Sequence, residues 1–267
     1  MGTETCGMSA GSCAAKAGEG ARDGAALAAE AANAGVLEAG SSEYAAAARV
    51  ESATFALLSR CLLRPVRALS DDVASGSVAS QLAEVFDGTC SSEIAQRLDS
   101  VRAFGEELSA REGDAARLAL EVEYNRLFVG PGKLLAPPYE SYYLSEARRA
   151  GSGRLRTDAE RSVARAYAAR GYAMPEEFVE LPDHVAVELE FLALVAAQEA
   201  EAWDAGDAQR ARDARHAADA FADAHPAQWL LAFARDVHVG ARLPFYPAIA
   251  DLACLLLCGE VAGSEQS

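Results

Sequence analysis

The sequence predicts an all-α protein, and three observations lead there. Alanine is abundant while β-branched residues are thin, which favours helix over strand. Apolar residues recur at three- and four-residue spacing in one segment after another. No stretch alternates apolar and polar residues as a half-buried strand would. With 51% of its 267 residues apolar, the chain has enough for a sizeable core.

Residues 1–40 differ from the rest. They are Ala, Gly, Ser and Glu with almost no large apolar side chain. Such a segment buries too little surface to offset its ordering entropy, so a disordered tail is expected, with a transient helix from Ala25 to Leu37. Residues 41–262 read as one domain of about ten helices. The first runs from Ser42 to Leu63, with Val50, Thr54, Leu57, Leu58 and Cys61 on one stripe, and stops before Pro65. Helices follow at Val78–Phe86, Ser92–Ala110 and Ala115–Val129. A short one is expected over Tyr139–Arg149, broken by Gly151 and Gly153, and another over Asp158–Arg170. Pro182–Glu201 is apolar on most sides and reads as a central, buried helix. Asp207–Asp223 alternates Asp with Arg and reads as a solvated outer face. Pro226 suits a first helical turn, ahead of Trp229, Phe233 and Val237. The last helix carries Phe245, Ile249, Leu252 and Leu256.

Glu121–Leu144 is the most informative stretch. Leu120, Tyr124, Leu127 and Phe128 fall at i, i+4, i+7, i+8, so one helical face is apolar. Gly130, Pro131 and Gly132 stop that helix, and Pro137-Pro138 holds an extended backbone before Tyr139. A costly, ordered loop in a helical chain points to a binding surface. Tyr124, Phe128, Tyr139, Tyr142 and Tyr143 gather near it, and aromatic side chains suit a rigid apolar wall for a peptide as well as a core.

A net charge of −16 and a pI near 4.7 argue against nucleic acid and anionic membranes and favour a partner with a positive segment. No apolar run approaches the roughly 20 residues needed to span a bilayer. The N-terminus lacks a basic start followed by an apolar core, so a cytoplasmic protein is expected. The six cysteines form no C-x-x-C pair, and no metal site is read from them.

Gly130-Pro131-Gly132-Lys133 invites comparison with a phosphate loop, but Leu127 and Leu134 stand where the motif needs Gly and Ser or Thr. Lys133 stays a candidate for cofactor contact only in an alternative reading, a nucleotide- or molybdopterin-binding assembly factor. Asp183-His184 opens the buried helix, where an acid and an imidazole cap backbone N–H groups or meet a ligand. Glu188 and Glu190 lie inside that apolar helix and must reach solvent, pair with an arginine such as Arg126, or line a groove. No catalytic motif is found, and no enzyme is expected.

Three blocks together resemble the TorD/DmsD-type redox-enzyme maturation chaperones: Glu123–Pro131 with Ala136–Leu144, Pro182–Ala193, and His225–Ala234 followed by Leu243–Tyr246. The resemblance covers roughly residues 44–259. It implies an all-helical fold with a hinge between a larger and a smaller helical part, as a monomer or a swapped dimer. It also implies a non-enzymatic job with no cofactor of its own. That job is holding the apo form of a molybdopterin oxidoreductase catalytic subunit and shielding its twin-arginine leader from early export; weak nucleotide binding is attributed to some members. The family's leader-binding groove matches Tyr124, Leu127, Phe128, Tyr139, Asp183 and His184. Tyr124 and Tyr139 stand where some relatives carry tryptophan, which implies a pocket shaped for a different leader. A leader's positive pair needs carboxylates, for which Asp183, Glu140, Glu188 and Glu190 are available, and its apolar stretch needs the aromatic side chains. A permanent structural subunit of a reductase complex is the remaining alternative.

Overall fold

A computed structural model describes residues 24–86, 91–111, 114–130, 134–145, 153–176 and 178–259, with side chains from Ser41 onward. Two units divide at Gly40 and Ser41. In the first, the backbone of residues 24–40 is helical, and residues 1–23 of the expected tail lie outside the described residues. The second unit is all-helical. Across the described residues there are eleven α-helices and no strand.

They are α1 (Gly24–Leu62), α2 (Arg67–Ala74), α3 (Ser77–Val85), α4 (Ser92–Ser109), α5 (Ala115–Tyr124), α6 (Glu140–Leu144), α7 (Asp158–Ala169), α8 (Val185–Asp204), α9 (Ala208–Ala224), α10 (Pro226–Gly240) and α11 (Phe245–Cys258). Local chemistry sets many of the ends. Ser91 and Thr157 accept backbone N–H bonds at the starts of α4 and α7, and Asp207 does so for α9. Pro226 takes the first position of α10.

Helix α8 is the axis of the unit and is buried on most of its surface, as its sequence predicts. The second half of α1 lies antiparallel to it and hangs from its carbonyls by three serine hydroxyls. Ser41 donates to Trp203 O at 2.7 Å, Ser52 to Ala193 O at 2.8 Å and Ser59 to Ala186 O at 2.7 Å. On another side α8 receives α9. There the expectation of a solvated outer face is half right. The Asp and Arg residues face out, but Ala211, Ala214, Ala218 and Phe221 form a buried stripe. Arg215 crosses from α9 to Glu51 of α1 and Glu199 of α8 and ties the three together.

The remaining core is built from α2, α4, α5, α10 and α11. Phe104, Phe245, Tyr246 and Trp229 are among its largest fully buried side chains. Cys61 and Cys254 are buried free thiols, and burial pushes the Cys61 thiol up to about 12. No helix of the described residues is long and apolar enough to cross a membrane.

Other sequence expectations change as well. Helix α2 is not anticipated, because only Leu69 and Val73 among its larger apolar side chains are buried in so short a segment. Val50 is exposed, so the α1 stripe begins at Thr54. The fourth helix is not α-helical to Val129: Asn125–Val129 form a π-turn that Gly130 closes, its N–H donating to Asn125 O. Gly130 has φ +36°, a conformation that disfavours any side chain.

Gly105 marks the closest approach of α4 to α2. A Cβ there would lie 2.4 Å from the Val73 carbonyl oxygen, a backbone atom that cannot swing aside. In an open helix, replacing Gly by Ala stabilises by roughly 0.5–1 kcal/mol. Here Gly105→Ala is expected to destabilise by about 1–3 kcal/mol through overpacking. Denaturant unfolding checks this, and an unchanged or raised midpoint would refute the contact.

Candidate functional site

Two segments far apart in sequence are joined at the start of α8. Pro137-Pro138 keeps the preceding loop extended, and Tyr139 is itself extended (φ −132°, ψ 129°). Tyr139 and His184 form an isolated antiparallel bridge. Val185 N–H donates to Pro138 O at 2.9 Å, and Glu140 N–H donates to Asp183 O at 3.0 Å. The rings of Tyr139 and His184 meet edge to face, with centroids 5.2 Å apart.

Both acid and imidazole act as caps, but not of the same helix. The Asp183 carboxylate accepts from Ser141 N–H at 2.8 Å and so closes the first turn of α6. His184 Nδ1 accepts from Ala186 N–H at 3.1 Å and caps α8. That bond places the ring proton on Nε2. Burial holds the His184 pKa down to about 3, so the ring is neutral.

Behind this seam lies a group of buried carboxyls. Glu140 sits 3.0 and 3.2 Å from His225 Nδ1 through its two oxygens. Glu188 accepts from Trp229 Nε1 at 3.1 Å. Burial, and then the charge of Glu140, push the Glu188 pKa well above the ordinary carboxylate range. Burial also raises Asp183, against the lowering effect of the Ser141 backbone N–H. Among the described residues, one oxygen of Asp183, one of Glu188, the Ser141 hydroxyl and His184 Nε2 have no hydrogen-bond partner. Among the described residues no group of three or more His, Cys, Asp or Glu could hold a metal ion.

Of the residues singled out in the sequence, Tyr139, Glu140, Asp183, His184 and Glu188 come together here. All but the half-buried Tyr139 are buried. Tyr124, Leu127 and Phe128 lie in the core instead. Tyr124 and Phe128 pack on each other at 5.0 Å, and Phe128 also packs on Tyr246 at 5.3 Å. The loop nonetheless links them to the seam, because Ala136 N–H donates to Leu127 O at 3.0 Å. Lys133 lies outside the described residues.

Arg126 does not reach Glu188. It forks onto Glu123 at 2.7 and 2.9 Å and donates to Gly240 O at 2.6 Å. Burial raises the Glu123 pKa, but Arg126 and the N–H groups of Arg242 and Leu243 outweigh it and hold the carboxylate below its usual range.

The sequence reading does not place His225, Trp229 or Glu180 at the site. Yet Tyr139 donates its hydroxyl to Glu180 at 2.6 Å. The His225-Pro226 step was the available signal, but burial against a carboxylate 85 positions away leaves no local pattern.

Beside the seam an apolar groove of about 420 Å³ opens between α8 and residues 172–175 with Phe178. Tyr167, Tyr172, Phe178, Phe191 and Leu194 supply its walls, with Glu190 at the edge. Tyr167 also ties the groove to the seam, its hydroxyl donating to Pro182 O at 2.8 Å.

This is a helical body with a ligand-sized groove beside a locked seam, the anatomy of a binding protein. The nitrate reductase delta subunit family matches residues 91–235, more than half of the chain, and the chain belongs to that family, the one its motif blocks resemble. It is also similar to a protein named "Chaperone protein TorD" from Aliivibrio fischeri, at 35% identity over 101 residues. The match covers 38% of this chain and 45% of that one, so the chain spans less than half the length of this relative.

The raised Glu188 pKa has a sign for stability. The folded chain holds this proton more tightly than the unfolded chain, whose glutamates titrate near about 4.3. The stabilisation is full below that value and is lost as pH rises through the raised folded value. Glu188→Gln keeps an acceptor for Trp229 and removes the titration. Its thermal midpoint is expected to fall less than the parent's between pH 5 and 8.5. Parallel curves for the two proteins would show that Glu188 is not protonated in the fold.

Proposed function

We propose that the protein is a cytoplasmic maturation chaperone. It binds the twin-arginine leader or the apo form of a molybdopterin-dependent reductase subunit, assists cofactor insertion and delays export. The seam carries this reading. The motif residues that resemble the TorD/DmsD-type chaperones, Pro138–Ser141 and Asp183–Val185, are bonded to one another and form a rigid ledge beside an open apolar groove. A chaperone of this kind needs a preorganised surface that an unfolded segment meets without further ordering cost on the protein side.

The surrounding charge supports the same role. A chain with 40 acidic and 24 basic residues attracts a segment that carries an arginine pair. Tyr139, Glu140, Asp183, His184 and Glu188 then act by fixing the ledge, while Tyr124, Leu127 and Phe128 hold the loop from beneath. A micromolar complex needs only about −8 kcal/mol, within reach of a few apolar anchors and one charge-assisted contact.

The test is calorimetric titration with leaders of the molybdopterin-dependent reductases encoded in the same genome. One of them is expected to bind in the micromolar range. Asp183→Ala, which uncaps α6, is expected to weaken that leader about tenfold, and Tyr139→Phe, which only releases Glu180, by a smaller factor. If no leader and no apo subunit binds the parent protein, the reading is wrong.

A further inference from the structure

We infer that the outer face of α7, with the Arg154-Leu155-Arg156 loop that leads into it, is a docking surface for a short acidic segment of a protein partner. This goes beyond the chaperone reading, which assigns a basic leader and so a ligand of the opposite charge.

The charge distribution motivates it. The chain carries a net −16, yet residues 148–170 hold seven arginines against two acids, Asp158 and Glu160. Arg161 pairs with Asp158, and Arg170 donates to Gln198. Among the described residues the guanidinium groups of Arg154, Arg156 and Arg165 meet no partner, and all three residues are exposed. Arg210, Arg235 and Arg242 also lack an ion pair. Each of the first two, however, has an aspartate within three positions, and the N–H of Arg242 donates to the Glu123 carboxylate. Beside the α7 cluster, Glu160 is the one acid of the described segment not already engaged.

Local stability does not account for the cluster. Arg161 and Arg165 fall at i, i+4 on the exposed face, a like-charge spacing that destabilises a helix. Arg154 and Arg156 precede the N-terminus of α7, where the helix dipole disfavours cations. Arg156 has φ +60°, the one positive φ of a non-glycine among the described residues. Strain of this kind concentrates where a chain meets a ligand. The loop is nonetheless held in place. Arg154 N–H donates to Ser145 Oγ at 3.1 Å, and Ser145 donates to Tyr142 O at 2.9 Å. A Cβ on Gly153 would lie 2.2 Å from the Tyr142 ring, so glycine is what lets the loop lie this close. The arginines are presented from an ordered base, which lowers the cost of binding.

The surface also specifies its occupant. Leu155, 41% exposed, stands between two arginines, and Leu144, 45% exposed, precedes the Ser145 tether. Apolar side chains among guanidinium groups suit a segment in which acids flank an apolar residue. The length argues for a short one. From Asp158 to Arg165 the helix advances about 10 Å, close to one screening length at physiological salt. A short acidic segment engages the arginines within that distance. Duplex DNA or an anionic membrane reaches past it and meets the acidic remainder of the chain. The inner face of the same helix carries Tyr167, which bonds Pro182 beside the seam, so a partner on α7 lies next to the candidate site.

The experiment uses a fluorescein-labelled peptide that alternates Glu with Leu, and a copy with Gln for Glu, titrated by anisotropy. The parent is expected to bind the acidic copy about tenfold more tightly, and added salt is expected to erase the difference. Arg154→Glu, Arg156→Glu and Arg165→Glu combined are expected to abolish that preference with an unchanged or raised thermal midpoint, because like charges are removed. Arg210→Glu combined with Arg242→Glu is expected to bind as the parent does. A photo-crosslinking phenylalanine analogue at position 155 is expected to label the acidic peptide, and one at the exposed position 239 of α10 is not. The inference is wrong if the parent does not distinguish the two peptides, or if the triple variant still does. It is overturned if position 155 labels a second copy of this chain instead. Tighter binding of duplex DNA or phosphatidylserine vesicles, lost in the triple variant, overturns it as well by assigning the surface to another class of partner. If the acidic peptide behaves as expected while no leader and no apo subunit binds the parent, the chaperone reading fails and this inference stands.

Discussion

The constraint on which the rest depends is the junction between Pro138–Ser141 and Asp183–Val185. Two backbone hydrogen bonds and one carboxylate cap join stretches more than forty residues apart. The join fixes the start of α8, and α8 is the helix against which α1 and α9 pack. It also brings carboxyl groups into the interior, where an isolated charge is prohibitively costly. Each is accommodated differently. Asp183 has a backbone N–H, Glu140 has an imidazole, and Glu188, facing Glu140, is driven toward its neutral form.

The molecule contrasts this with a second way of burying acid. Glu123 is met by the Arg126 fork and by two backbone N–H groups. Asp251, also buried, lies between Arg97 at 2.8 Å and His238 at 3.0 Å. Those carboxylates hold α5, α4, α10 and α11 together and leave no polar demand unmet. The seam beneath the groove keeps unsatisfied oxygens and a proton-bearing imidazole nitrogen. Ion pairs on the surface, such as Arg102–Asp99, add little to stability because solvent screens them.

Most helices were legible in the sequence because a long amphipathic repeat has a single stable reading. Helices α3, α4 and α7 agree with their sequence spans to within a residue or two, α10 starts at Pro226 as its sequence suggests, and α8 and α9 were placed as central and charge-bearing. The failures have physical causes. Helix α2 is short, so its pattern carries little weight until α4 and α5 pack against it. The π-turn at Asn125–Val129 inserts an extra residue per turn, which local propensity does not record. Alanine misleads in α9, where a small side chain reads as neutral but permits close approach to α8.

The sequence by itself determined the fold class, the central helix and the family, because periodicity and motif blocks are properties of neighbouring residues. It also pointed to Tyr139, Asp183 and His184 as partners in one place. Tertiary structure alone decided which side chains face solvent. It turned Tyr124, Leu127 and Phe128 inward, matched Arg126 to Glu123, and set His225 against Glu140. It also opened the groove along Val187, Glu190 and Leu194. Burial depends on what packs from distant parts of the chain, and no spacing along the chain encodes that.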